Sequence, residues 1–199
     1  MIALSLTIIL NTIFFVVFKE FSKRNINTHQ AITFNYLTAA LIALYIGDVN
    51  YNVINLNDTD WFYSTIVFGA LFIVMFNVMA ITTQKLGISI SSMASKMSLI
   101  IPVIGAIILH NASIDSYQIV GIIIAIVAVY LTFKKEEKLS YPINIAIVLF
   151  FGSGILDMSL NLIQDSYLKT DSDFSQFIII IFFVAFLIGF IKIIFSKSA

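Results

Sequence analysis

The chain has 199 residues, of which 60% are hydrophobic and 11% are charged, and its formal net charge is +0. A soluble domain is roughly 45–50% apolar and about 25% charged, so the composition excludes a soluble globular fold and predicts an all-α integral membrane protein. No basic stretch interleaved with aromatics points to nucleic acid as a partner. Cysteine is absent, and the two histidines belong to different segments. No metal or cofactor site is therefore expected.

Seven apolar segments, each long enough to cross a bilayer at about 17–25 residues, follow one another with short connections. They cover residues 2–18, 31–47, 61–82, 88–109, 116–133, 142–163 and 174–195. The first segment has no basic leader and no small-residue cleavage site, and we interpret it as a retained helix and not as a signal peptide. The sequence therefore predicts a bundle of about seven transmembrane helices in the lipid bilayer.

The charges predict how this bundle is oriented. Nine of the eleven Lys and Arg residues fall on one side of it, at positions 19, 23, 24, 85, 134, 135, 138, 192 and 197. The connections on the other side carry Lys169 and most of the aspartates. The positive-inside rule then predicts a multi-pass protein of the cell (inner or plasma) membrane, with the N-terminus outside and the C-terminus in the cytoplasm.

The first two and the last two segments show a weak internal similarity. Each pair starts with small or polar residues, Asn11-Thr12 in one and Ser153-Gly154 in the other, and each has a polar loop between two apolar runs. The first loop is basic and the second acidic, so the second copy would enter the membrane upside down. Inverted repeats are typical of secondary transporters, although any two apolar hairpins look somewhat alike.

A more specific pattern covers the third to fifth segments, "QKLGISISSMASKMSLIIPVIGAIILHNASIDSYQIVGIIIAIVAVYLTF". A helix rich in small residues leads to Pro102-Val103, and a short loop is followed by Gln118 and Gly121 at the start of the next helix. This pattern resembles that of EamA-type transporters of the drug/metabolite transporter superfamily. The resemblance extends over most of the chain.

The resemblance implies ten helices in two inverted halves of five. Residues 1–135 would then form the first five-helix repeat, and residues 141–199 the first two helices of the second repeat, so the chain looks truncated at seven of ten helices. The family often has a glutamate six positions before the glutamine, where this chain has Ala112. Family members are drawn with both termini in the cytoplasm, and for this chain we follow its own charges instead.

The fourth segment divides into two faces on a helical wheel of about 100° per residue. The small or polar face contains Ser91, Ser95, Ser98, Pro102 and Gly105, and the opposite face contains methionine and isoleucine. The small face either lines a substrate path or packs closely against another helix. Because proline has no N–H, Pro102 is expected to free the Ser98 carbonyl for an outside partner.

Two charged residues lie inside the membrane segments. Lys96 is about 12 Å from the cytoplasmic end of the fourth segment and Asp157 about 22 Å from that of the sixth. Lys96 contacts an anionic substrate group or an acid, or extends its stem to the interface. Asp157 is a candidate to carry a proton during transport, to bond a neighbouring helix as a structural residue, or to lie close enough to the outer surface to be hydrated. Asn161 follows Asp157 on one polar stripe, and Asn11 and Asn77 are further candidates for the substrate path, each also interpretable as an interhelical hydrogen-bonding residue.

The leading hypothesis is a secondary transporter that moves a small metabolite by alternating access, with export of amino-acid-like or drug-like solutes as the candidates. Gly121, Ala125 and Ala128 form a small-residue seam in the fifth segment that is a candidate contact between subunits of a homo-oligomer. The alternatives are a truncated, non-transporting membrane protein and a seven-helix sensor or receptor, although Lys192 is too shallow to hold a mid-membrane chromophore. No enzyme is expected, because a lone Asp157 is not a catalytic pair and no catalytic residues are visible.

Overall fold

The computed structural model describes residues 2–47, 61–110, 115–134, 143–168 and 170–196. The regular structure in these ranges is entirely helical, which confirms the all-α membrane bundle. The helices are α1 (Ile2–Lys23), α2 (Thr28–Ile46), α3 (Phe62–Leu86), α4 (Ile88–Met97), α5 (Ile100–His110), α6 (Ser116–Lys134), α7 (Asn144–Tyr167) and α8 (Asp171–Ser196). The predicted boundary between the two repeats, at residues 135–141, lies outside the described ranges.

Five stretches within the described residues are long and apolar enough to cross a membrane. They are Ser5–Lys23, Phe62–Leu86, Ile88–Leu109, Asn144–Tyr167 and Asp171–Phe195. In α6 the apolar described part is the shorter stretch Tyr117–Ala128, and α2 carries polar residues such as His29 and Asn35 that lower its average hydropathy. The chain is therefore a multi-pass membrane protein.

Large apolar side chains cover the outside of these helices, as expected for a protein whose solvent is lipid. Described side chains that are roughly half exposed or more occur on every helix, and the series is densest on α1 and α6. In α6, Ile124 is 63% exposed and Tyr117 is 85% exposed. These faces would be costly in water, and in a bilayer they meet hydrocarbon.

The fourth predicted segment is broken into α4 and α5 at Ser98 and Leu99. Pro102 lies in the first turn of α5, where its missing N–H is tolerated. The Ser98 carbonyl accepts the Ile101 N–H at 3.0 Å, and the Lys96 carbonyl accepts the Leu99 N–H at 3.4 Å. Pro102 therefore does not leave the Ser98 carbonyl without a hydrogen bond, because a tighter turn supplies the N–H of Ile101. That the same oxygen also accepts from an outside partner stays a prediction.

The described chain divides into two compact units. Unit 1 contains residues 1–28 and 78–158, and unit 2 contains residues 29–77 and 159–199. In unit 1, α1 contacts α4, and α6 contacts α4 and α5. Gly87 connects α3 to α4 with φ of 98°, a backbone conformation that only glycine adopts without strain.

Polar contacts fix the ends of three helices in unit 1. Gln84 of α3 donates from Nε2 to the Thr28 hydroxyl at 2.7 Å and to the Phe18 carbonyl at 3.3 Å. Lys19 donates from Nζ to the Gln84 carbonyl at 2.8 Å, near the carboxyl end of α3, where a cation is favoured. The end of α1, the start of α2 and the end of α3 are thus tied together.

Unit 2 has an aromatic core. Phe177 of α8 is fully buried, and its ring lies 5.7 Å from that of Trp61 and 5.9 Å from that of Phe68, edge to face in both cases. Ile181 and Leu168 complete this cluster. Such ring pairs add about 0.5–1.5 kcal/mol each beyond the burial of their area, and here they join α3 to α8.

Candidate functional site

The small face of the fourth span is buried, as the helical wheel predicts. Ser91 and Ser98 have no exposed surface, Pro102 and Gly105 are buried, and Ser95 is half-buried. On the opposite face, Met93 and Ile108 are 44% and 68% exposed.

The serine hydroxyls on this face have protein partners. Ser91 Oγ lies 2.8 Å from Thr83 Oγ1 and 3.3 Å from the Met79 carbonyl, both on α3. Ser98 Oγ donates to the Ser95 carbonyl at 2.7 Å. In this conformation Ser91 holds α4 against α3, which is the contact that the packing interpretation describes. Whether the small face also lines a substrate path stays a prediction.

The residues from Ser98 to Gly105 pack against α7. A Cβ built on Gly154 would lie 2.8 Å from the Ser98 carbonyl oxygen and would overlap the Ile101 side chain. A Cβ on Gly105 would lie 2.6 Å from the Met158 sulfur. These glycines therefore allow α5 and α7 to approach at van der Waals distance.

A cavity of about 680 Å³ lies between the α4–α5 span and α6, and we call it the α6 groove. Its walls are apolar apart from Lys96 and Gln118, and consist of Met97, Leu99, Ile100, Val103, Ala106, Ile107, Gly121, Ile122, Ala125 and Ala128. A Cβ built on Gly121 would meet nothing within 4 Å. The small-residue seam predicted for α6 thus borders open space in the described part of the chain.

Lys96 both lines the α6 groove and interacts with Asp157, the acid of α7. It lines the groove at the end of α4, and it is close enough to Asp157 to interact with the carboxylate electrostatically. Within the described ranges the two side chains form no direct ion pair, in keeping with the axial offset of about 10 Å expected from their positions in the segments. Asp157 itself is half-buried.

Of the other predicted site residues, Asn11 belongs to unit 1, and Asn77 and Asn161 belong to unit 2. In unit 1, Asn11 donates from Nδ2 to the Thr7 carbonyl of its own helix at 2.9 Å. In unit 2, Asn161 is exposed on α7, and Asn77 belongs to a separate polar cluster. A role for these asparagines in a substrate path stays a prediction.

That cluster contains a histidine which the sequence does not mark as a site residue. His29 Nδ1 lies 3.0 Å from Asn77 Oδ1, while Asn77 Nδ2 donates to the Ile73 carbonyl at 2.7 Å. Because the second bond fixes the amide, Oδ1 must accept and His29 Nδ1 must carry the hydrogen. His29 Nε2 is then a bare lone pair, and it is buried without a hydrogen-bond partner among the described residues.

We expect His29 to be the Nδ1–H tautomer, although the Nε2–H form is commoner in a free imidazole side chain. Nitrogen-15 NMR of histidine-labelled protein carrying His110→Gln, which leaves a single histidine, would show it directly. Replacing Asn77 by alanine should return His29 to the Nε2–H form. An Nε2–H signal in the parent protein would contradict the assigned amide orientation.

Tyr36 is the second buried polar group of unit 2 that the sequence does not single out. It is 2% exposed, its hydroxyl has no described partner, and its ring packs against Phe76 and Phe182. His29, Thr33 and Tyr36 recur at spacings of four and seven along α2, so a helical wheel places them on one face. That periodicity was the available signal, but it does not show which helix covers the face.

Comparison with known proteins agrees with the pattern of the third to fifth segments. The sequence model of the EamA-like transporter family matches residues 1–134. An uncharacterized protein of Haemophilus influenzae is 26% identical over 154 residues, which cover 72% of this chain and 52% of that protein. The chain thus spans about half the length of the curated relative that it matches, and no solved structure matches it significantly. Since the family model covers more than half of its residues, the chain belongs to the EamA-like transporter family.

Proposed function

We propose that the protein is a secondary transporter of a small metabolite that works by alternating access, with Lys96 as its charged contact to the solute. The observation that supports this most is the α6 groove, a cavity of about 680 Å³ with a lysine in its wall. Sites for small molecules are about 300–1,000 Å³, mostly apolar, with a few polar groups that fix orientation. The groove meets this description within one compact unit.

The charge of Lys96 needs an explanation at this position. Ionisable side chains within membrane segments are costly, and they usually face a pathway or pair with one another. Lys96 lacks a direct ion pair in the described structure and has Asp157 as its electrostatic partner. A lysine that interacts with an acid but forms no direct ion pair with it can bind an anionic group of the solute. Asp157 can exchange a proton as the solute moves.

Membrane and orientation follow from the charges and remain part of the proposal. Lys19 and Lys23 lie near the end of α1, Arg24 follows it, and Lys85 lies in the last turn of α3. Because Lys19 donates to the Gln84 carbonyl, the ends of α1 and α3 are close together, which supports one membrane side for both. We propose that this side faces the cytoplasm of a cell whose inner or plasma membrane holds the protein.

The test is uptake or counterflow of a pooled metabolite set in proteoliposomes that contain the purified chain. We expect at least one solute to be transported, and Lys96→Gln to lower its rate by about tenfold, equivalent to about 1.4 kcal/mol. Lys192→Gln, which changes an exposed lysine of α8, is the matched control and should leave the rate unchanged. If Asp157 carries the proton, Asp157→Asn abolishes the response to a pH gradient.

Two outcomes would contradict the proposal. If the folded chain moves no solute in either direction, it is not a transporter on its own. If Lys96→Gln and Lys192→Gln behave alike in a chain that does transport, the solute path does not use Lys96.

A further inference from the structure

The α6 groove combines an extended apolar surface with one cationic end. Along α4 and α5 its lining residues run from Lys96 to Ile107, and along α6 from Ala128 back to Gln118. At 1.5 Å per residue each wall is about 15–17 Å long. The groove is thus extended along the helix axes, with Lys96 at one end of the α4–α5 wall and Gln118 near the start of α6.

The two polar lining residues differ in what they can offer a ligand. Gln118 Oε1 accepts the Asp115 N–H at 3.1 Å and so caps the start of α6. The Lys96 side chain has no hydrogen bond or direct ion pair within the described ranges, and its ammonium keeps three donors available. The Gln118 amide keeps two neutral Nε2–H donors, so only the Lys96 end offers a positive charge to an anion.

The small-residue seam of α6 keeps the groove open between these ends. Gly121 has no side chain, Ala125 and Ala128 have only methyl groups, and the space in front of Gly121 is empty to 4 Å. A void with apolar walls forfeits van der Waals contacts on one side. A flexible hydrocarbon body would restore these contacts along the whole length.

We infer that the α6 groove binds an amphiphilic carboxylate, with the carboxylate on Lys96 and the apolar body lying along Val103, Ile107 and Gly121. This inference names the solute class for the transport site proposed above and rests on that proposal. The charge complementarity and the shape select one occupant, a monomeric organic anion with a long apolar body. A neutral or cationic amphiphile would fill the same apolar walls but make no charge-assisted contact with Lys96.

The test uses a dodecanoate analogue with a diazirine near the end of its chain, added to the purified protein in nanodiscs of zwitterionic lipid. After irradiation, mass spectrometry should locate the label on α5 and α6 residues of the groove. Unlabelled dodecanoate should compete, and dodecylamine should compete at least about tenfold less well, since loss of one charge-assisted contact corresponds to about that factor. Anionic phospholipid in the nanodisc should not displace the label.

Two variants separate binding in the groove from contact with surrounding lipid. Lys96→Gln should lower groove labelling about tenfold, and Lys96→Arg should restore it. Gly121→Leu puts a side chain into open space without a clash, so it should fold and block labelling. Lys192→Gln is again the control and should label as the parent protein does.

Each alternative occupant gives a distinct result. Competition by anionic phospholipid would mean a lipid site and would overturn the assignment, as would equal competition by dodecylamine. If Gly121→Leu converts a dimer to a monomer in native mass spectrometry while labelling is absent in both, the groove is a subunit interface. If labelling fails although Lys96→Gln impairs uptake of a polar metabolite, the solute class is wrong and the transport proposal stands.

Discussion

Replacing Gly154 by valine is expected to abolish stable folding of unit 1. A Cβ at this position lies 2.8 Å from the Ser98 carbonyl oxygen and overlaps Ile101, and a backbone atom cannot move aside as a side chain can. Overpacking of a closed contact costs about 1–3 kcal/mol and more where backbone must shift. In a membrane, where association relies on close packing, such a loss removes much of what holds α5 to α7.

The measurement is the fraction of monodisperse protein after purification, together with the midpoint of unfolding in mixed detergent micelles followed by circular dichroism. Gly121→Val is the matched control, since it adds the same isopropyl group to a helical glycine but meets open space. We expect its midpoint to stay close to that of the parent protein. Equal losses in the two variants would show that the helix propensity of valine, and not the approach of α5 to α7, is responsible.

Replacing Phe177 by alanine is expected to cause the largest loss of stability in unit 2. The ring is fully buried and packs edge to face against Trp61 and Phe68. Phenylalanine to alanine costs about 3–5 kcal/mol in soluble cores. We expect about 3 kcal/mol, because the transfer term is small when the unfolded helices stay in lipid and the lost packing remains.

Trp61 is the single tryptophan of the chain, so its fluorescence reports on this cluster without labelling. Unfolding followed by Trp61 emission should shift to lower denaturant in Phe177→Ala. Phe183→Ala removes the same group from a residue of α8 that is 47% exposed, and it should leave the midpoint nearly unchanged. A similar shift in both variants would mean that the buried cluster adds little to stability.

The sequence predicts the helices of this protein well because their signal is local. Apolar length, interfacial charge and the small face from Ser91 to Gly105 can each be read along one segment, and the structure confirms the bundle and the burial of most of that face. The break at Ser98 was only partly predictable. Pro102 marks the position, but which N–H then reaches the Ser98 carbonyl depends on how the turn closes.

The pairing of helices could not be predicted from the same signals. His29 and Asn77 lie 48 positions apart, and nothing on either segment shows that they meet. The seam of α6 illustrates the converse, since Gly121 and Ala125 have the pattern of a packed interface and yet border a cavity. The sequence of one segment predicts which residues share a face of its helix. It does not predict which other helix packs against that face, because that depends on the tertiary structure.

The break between α4 and α5 also changes the electrostatics of Lys96. α4 ends at Met97, so Lys96 lies in its last turn. A helix carries about half a negative elementary charge at its carboxyl end and stabilises a cation there by about 0.3–1 kcal/mol. An uninterrupted helix would place Lys96 in its middle, far from either end. The interruption thus lets the dipole of α4 stabilise the Lys96 ammonium inside the membrane. Because a dipole has no net charge, it does not neutralise the ammonium, which keeps its full positive charge for an anionic ligand.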